Sequence, residues 1–466
     1  MTGHERWFVV IAVIMLVATT AVALAAADDA SSDLDRTVAG WTPDVPALDD
    51  AEPPSGQGVA TIDGEDHEYD SVQGAVDAAD PGDTIVLEGG FEEQVSIDTP
   101  DITLRTSDEA TEWARISGGS DGTVVHVAAD NVSLKTVWLS ESGYERSSED
   151  TAILVNGNDS TLSDLRITET TYGIWIGEAT DVTVENTTIA GHAGVAEPNR
   201  GNGIHLDRAD GAELRDNYVT MVRDGIYFSW SDGVVAENNV LWNLRYGVHY
   251  MFSDDNRLEH NVAFDNDVGF ALMVSENLTI ANNTAVNNDG PSGQGILVKD
   301  VDDSAIRGNA VVANRNGLYV YNSHRNEFVD NLILENQAGI HFTAGSSGET
   351  VVGNSFVAND LAAYASTSTQ LTWNDSDRGN YWADARSADL DGDGTSELRH
   401  QPTGAVEHLI YEQPQAAFFA DSPAFDAVRM AESSFPVIES PGVVDHRPLT
   451  EPPHDDWEEY YENHDN

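Results

Sequence analysis

His205, Tyr227 and His249 stand 22 residues apart, and so do Met251 and Met273, a spacing that would gather two imidazoles, a phenol and two thioethers on one surface. Neutral imidazole beside thioether is a soft donor set suited to copper, particularly Cu(I). Methionine and tyrosine are also frequent at protein interfaces. Residue types leave two readings open: copper held by His205, His249, Met251 and Met273, or a protein docked on Arg223, Tyr227, Arg245, His249, Met251 and Met273. Arg223 and Arg245 repeat with the same interval, and Arg315 follows further on. They either hold an anionic partner group or pair with Asp224 and nearby acids. A third group lies at Asp389, Asp391 and Asp393, interleaved with Gly392 and Gly394 and followed by Glu397. Alternating carboxylates before a glycine turn supply hard oxygen ligands for a structural Ca²⁺, although His400 stands where a bidentate glutamate would close an EF-hand loop.

The element that must position the first group is a repeat. Glycines 173, 203, 225, 247, 269, 295, 317 and 339 are separated by 30, 22, 22, 22, 26, 22 and 22 residues. Asn217, Asn239, Asn261, Asn283, Asn309, Asn331 and Asn354 keep nearly the same rhythm, as expected of an internal ladder bonding backbone groups at a corner. A 22-residue coil with short strands predicts an all-β, single-stranded right-handed parallel β-helix of the pectin-lyase-like kind. Residues one and three after each glycine are almost all apolar and face the core, so residues two and four after it face outward. Adjacent coils lie about 4.8 Å apart, which predicts that His249, Met251 and Met273 cluster on the surface. The extra residues of the two long intervals, 191–202 and 289–292, fall just before the glycine, thus at one corner, and frame the coils between them.

The rest of the chain divides around this solenoid. Residues 1–27 have the form of a secretory signal peptide with Ala-x-Ala before Asp28, or of an uncleaved anchor; either places the remainder outside the cytoplasm. Residues 28–58 read as an acidic linker, 59–378 as the β-helix, 379–452 as a carboxy-terminal capping segment and 453–466 as a disordered acidic tail. Residues 71–79 form a short amphipathic helix covering the open end of the core, and 162–167 read as one β-run.

Composition removes some functions. The 466 residues carry 22 Lys+Arg against 81 Asp+Glu, a formal charge of −59, and lack cysteine. Nucleic-acid binding needs a basic footprint, and disulfides or thiolate metal sites need cysteine. Carboxylates scattered along the whole chain suit a halophilic setting in which salt screens their repulsion. A polysaccharide lyase or hydrolase, or a cell-surface carbohydrate-binding protein, is the alternative for an extracellular β-helix. A glycosidase needs two carboxylates about 5 to 9.5 Å apart on the exposed face. The outward rows offer only Asp207, and non-enzymatic work is expected.

Several stretches together resemble one family. Arg-Asp-Gly-Ile-Tyr-Phe at 223, Arg-Tyr-Gly-Val-His-Tyr-Met at 245, Ala-Leu-Met at 271 and Gly-Asn-Tyr-Trp at 379 look like NosD, the extracytoplasmic maturation factors of nitrous oxide reductase. So do Ser422-Pro423-Ala424, Phe435-Pro436-Val437 and Asp445-His446-Arg447-Pro448-Leu449. The resemblance implies an assembly protein working with an ABC ATPase and permease to build the copper-sulfide centre. A copper-chaperone lipoprotein and apo nitrous oxide reductase would be its partners. The same resemblance places the family's surface motif on Arg223, Tyr227, Arg245, His249, Met251 and Met273.

Overall fold

The computed structural model describes residues 41–47, 53–54, 56–343, 345–367, 369–402, 404–434, 442–454 and 457–461. The expected signal peptide and the first part of the linker lie outside them. Within them the chain winds into a right-handed parallel β-helix whose three sheets hold 14, 13 and 12 strands. Each regular coil gives one strand to each sheet; the coil of Gly225, for instance, contributes Asp224–Ser229, Val235–Glu237 and Val240–Trp242. Neighbouring coils pair at the 22-residue interval, Ile226 opposite Val248 and Tyr227 opposite His249. No helix of the described residues is long and apolar enough to cross a membrane.

The glycine column explains itself by close approach. A Cβ built on Gly173, Gly203, Gly225, Gly247, Gly269, Gly295 or Gly317 would lie 2.5 to 2.8 Å from the carbonyl oxygen of the next glycine in the column. On Gly225 it would also meet the core side chains Leu241 and Leu244, so glycine and the following Ile226 both face inward. The register stays at 22 residues on either side of the glycine, with Asp224 opposite Tyr246 and Ile226 opposite Val248, so the strand turns at the glycine without an extra residue and the residue before it lies on the outer face. Beyond the glycine alternation resumes: Ile226, Phe228, Val248, Tyr250, Phe270 and Leu272 are fully buried.

At the next corner the asparagines stack. Asn239 donates from Nδ2 to Asn261 Oδ1 at 2.9 Å, and the same bond repeats from Asn217 through Asn354 and on to Asn380. Each Oδ1 also takes the backbone N–H of the coil before it, as Asn261 does from Asn239 at 2.9 Å. A second ladder, Asn266, Asn288, Asn314, Asn336 and Asn359, runs parallel at another corner and was not foreseen. These amides satisfy turn backbone that the solenoid removes from water.

Both ends of the core are closed. The helix Val72–Ala78, capped by Ser71 Oγ, lays Val72, Ala75 and Val76 on the first coils. At the far end Trp382 stacks on Phe356 at 4.1 Å, and buried Asp445 accepts from Trp382 Nε1 at 2.9 Å and Asn380 N at 2.7 Å. Two expectations need correction. Residues 162–167 are not one run but belong to the strands Thr161–Ser163 and Arg166–Thr170 on different sheets, because Asp164 takes φ +54 and turns the corner. The stretch expected to be a disordered tail carries a 3₁₀ turn, Trp457–Tyr461. Its Trp457, Tyr460 and Tyr461, with Trp41, cover an apolar stripe of Val240, Trp242, Phe264 and Val286 on the outside of the 13-stranded sheet.

Candidate functional site

The inserted residues 191–202 and 289–292 both connect the 13-stranded to the 12-stranded sheet, so they rise from one edge of the glycine-bearing sheet. A third loop, 141–150, leaves the same edge in an earlier coil. It meets the first insertion through Arg146 Nη1, which donates to Pro198 O at 3.1 Å, and through Tyr144 edge-on to His192. Arg315 braces the other insertion by donating to Pro291 O at 2.8 Å.

Between these loops the outer face of the glycine sheet carries a ring column. Trp175 stacks on His205 at 3.9 Å; His205 and Tyr227 are 4.8 Å apart between centroids, as are Tyr227 and His249. The row does face away from the core, but it is more covered than outward alternation implies: His249 is 8% exposed and Ala271 fully buried. Each ring shields the next, and Val268, Ala271 and Leu297 form an apolar cluster against which Tyr246, Met273 and Tyr319 pack. The geometry also separates the two histidines, since the Tyr227 ring stands between His205 and His249. Met251 and Met273 occupy the same position on successive coils, joined by Phe252 N donating to Val274 O at 3.0 Å.

The residue that organises this face is Asp224, which sequence reasoning treated only as a counter-ion. Carried outward by the turn at the glycine, it is 1% exposed and accepts from Arg245 Nε at 2.8 Å, Arg245 Nη2 at 2.5 Å and His249 Nδ1 at 3.0 Å. Burial alone would raise its pKa, but the hydrogen bonds from His249 and Arg245 outweigh it and hold the carboxyl below its ordinary range. A carboxylate can only accept, so the 3.0 Å contact calls for a proton on His249 Nδ1 and outweighs the longer 3.4 Å approach of Arg245 Nη2 to the same atom; in that neutral tautomer Nε2 is the ring's acceptor. The Nε2 atom has no polar partner among the described residues. Arg245 also lies over Tyr246, its Cζ 4.2 Å from the ring centre.

Arg223 is different. Its nearest acid, Glu197 on the first insertion, is 3.9 Å from Nε, beyond hydrogen-bond reach, and the buried Nε has no partner. Burial, then the Arg245 charge, push its pKa below the ordinary arginine value. His205 is pushed down to about 4, chiefly by burial, and its Nδ1 takes a 3.2 Å contact from Asn202 Nδ2. It is therefore a neutral ring at neutral pH. Asp207, the carboxylate of the outward rows, pairs with Arg208 at 3.2 Å.

Two exposed rings adjoin the methionines and were also missed. Trp230 (55% exposed) and Phe252 (39%) stack at 4.6 Å at the far end of the same strands. They follow Ser229 and Met251 directly, and their recurrence at 22 residues was the available signal.

The acidic loop is assembled in part. Carboxylate oxygens of Asp389, Asp391 and Glu397 lie within 4.8 Å of one another, all exposed. Asp393 turns elsewhere: its carboxylate accepts from Thr395 N at 2.8 Å and Arg447 Nη2 at 2.9 Å.

Known proteins match this arrangement at two levels. The fold resembles the crystal structure of PfbA, a surface adhesin of Streptococcus pneumoniae, at TM-score 0.50 and 14% identity over 62% of this chain and 86% of that one; this likeness concerns the fold alone. The family model described as periplasmic copper-binding protein (NosD) matches residues 185–387, the coils that carry the ring column. The probable ABC transporter binding protein NosD of Stutzerimonas stutzeri is 37% identical over 382 residues, spanning 78% of this chain and 86% of its own. Its counterpart in Pseudomonas aeruginosa is 39% identical over 358 residues, 73% and 82% of the two chains. With more than four fifths of both relatives aligned at 37% and 39% identity, this chain belongs to the NosD family.

Proposed function

We propose that the protein acts outside the cytoplasm as an accessory scaffold in maturation of the copper-sulfide centre of nitrous oxide reductase. It works beside an ABC permease and ATPase and presents the ring-and-methionine face to a copper-chaperone lipoprotein or to apo-reductase. Copper is its cargo. The observation that carries this reading is the His249–Asp224 pair. A histidine that donates Nδ1–H to a buried carboxylate has its ring oriented with Nε2 turned away from that bond, as metal-ligating imidazoles commonly are. Met251 and Met273, on the same strand and its neighbour, add thioethers to the set, and soft donors of this kind favour Cu(I). His205, two coils away across Tyr227, serves this face as a docking ring. Arg223, Tyr227, Arg245 and the exposed Trp230 and Phe252 extend the surface available to a partner. A Ca²⁺ ion at Asp389, Asp391 and Glu397 would stabilise the capping segment.

The test has two arms. Reductase purified from a strain lacking the gene should be short of copper, and a full copper-sulfide centre there rules the role out. Titration of the purified protein with Cu(I) against a competing chelator, beside the combined His249→Ala, Met251→Ala and Met273→Ala variant, examines the cargo site. Unchanged affinity in that variant would reduce the face to docking.

A further inference from the structure

The same face contains donors that no protein acceptor satisfies. Arg223 is the centre of this surplus: its side chain is only 24% exposed, yet none of its guanidinium nitrogens makes a hydrogen bond among the described residues. Its neighbour Asp224 offers it charge but no hydrogen bond, its carboxylate oxygens being turned to Arg245 and His249. Nor can Arg146, which bonds a backbone carbonyl and adds positive charge. The hydroxyls of Tyr227 and Tyr246 likewise have no acceptor among the described residues. In a chain with 81 acidic side chains, an arginine whose buried Nε has no hydrogen-bond partner and stands 3.9 Å from the Glu197 carboxylate is an unfilled valence.

We propose that Arg223, on the face it shares with Tyr227 and Tyr246 and next to Glu197 of the 191–202 loop, binds an oxyanion: a carboxylate carried by a partner polypeptide or a free tetrahedral anion. A guanidinium presents parallel N–H donors that match two oxygens of either ligand, and a partly desolvated site strengthens each bond. Glu197 marks the approach. It sits half-buried on the loop with its Oε1 3.9 Å from Nε, in the place a ligand oxygen would take. The anion and Glu197 compete for one guanidinium, so ligand binding and the position of the loop are linked. The inference builds on the docking face of the proposed function but uses none of its copper ligands. Failure of anion binding and failure of copper binding are therefore separately visible.

The full-length protein is titrated calorimetrically with sodium sulfate and, separately, sodium acetate at constant ionic strength set by sodium chloride. Near-ultraviolet spectra follow the two tyrosines. One saturable site is expected, with affinity reduced about tenfold or more in Arg223→Gln, the worth of one charge-assisted hydrogen bond. Glu197→Gln should tighten binding several-fold by removing the competitor. Tighter acetate than sulfate identifies a partner's carboxylate as the source, and the reverse order identifies a free tetrahedral anion. Absence of saturation with both anions overturns the proposal. So does wild-type affinity in an Arg223→Gln protein whose far-ultraviolet circular dichroism is unchanged.

Discussion

Replacing Asp224 by Asn separates the structural from the chemical work of this face. The carboxylate accepts three hydrogen bonds, two from Arg245 and one from His249. Asparagine keeps one acceptor oxygen, removes the charge and turns an NH₂ group toward one of the two donors. Breaking a buried ion pair by removing one partner costs about 3 to 5 kcal/mol. Arg245 retains 23% of its side-chain exposure, so the lower end of that range applies. Solenoid coils contact only their neighbours, so the loss should appear as faster amide exchange in the coils of Gly225 and Gly247 rather than along the whole chain. The chemical effect is distinct. Loss of the Nδ1 anchor frees the His249 ring, and removing the hydrogen-bond partner of a ligating imidazole weakens metal binding about 10- to 100-fold. The assay is Cu(I) competition against a chromophoric chelator, run beside His249→Ala. If Asp224→Asn binds copper as the native chain does while His249→Ala loses it, the argument that Asp224 orients a ligand is refuted. If neither variant loses affinity, His249 is not a ligand at all. The sign with pH follows from the depressed carboxyl. Its contribution to stability is complete above the unfolded value near 3.8 and disappears as the pH falls through the lower folded value.

Three further outcomes are expected. Asn261→Ala removes the acceptor of Asn239 N and Nδ2 in mid-ladder; with buried donors left unmade, the loss should be about 2 to 4 kcal/mol, measured by urea unfolding and refuted by a loss below about 1. Glu349 is pushed up to about 8, chiefly by burial, and its Oε1 has no partner. Its raised pKa costs stability increasingly as pH rises from 4.5 toward 8, so Glu349→Gln should melt higher than the native chain at pH 8, with the gap closing toward pH 4.5. A gap that widens on acidification contradicts this. Millimolar Ca²⁺ should raise the melting temperature of the capping segment through Asp389, Asp391 and Glu397, and chelator or Asp389→Asn should abolish the rise; an unchanged melting curve removes the ion from the account.

How much of this was legible beforehand depends on range. The core rows, the first asparagine ladder and the shared edge of the two insertions follow from a fixed interval. The ring neighbours His205, Tyr227 and His249 follow from it too. Their degree of cover does not, because side chains from other coils supply the shielding. The tail was misread for a related reason: its acidic composition suits a solvated chain, whereas Trp457, Tyr460 and Tyr461 find an apolar stripe on a sheet more than a hundred residues earlier.

The 22-residue period alone determines that this chain is a parallel β-helix, because every coil must return its backbone to the same hydrogen-bonding register. It also determines which residue types share a column. Only the tertiary structure decides which way the residue before each glycine points. Strict alternation counted back from Ile226 would send Asp224 into the core, but Gly225, with no Cβ, lets glycine and Ile226 both face inward and leaves that carboxylate outward on Arg245 and His249. Arg245 is paired by that turn and Arg223 is left open, although the two occupy identical places in the repeat. The difference lies one coil back: Arg245 meets Asp224 there, whereas the residue in the same place for Arg223 is Asn202, and the 191–202 loop brings Glu197 only to 3.9 Å.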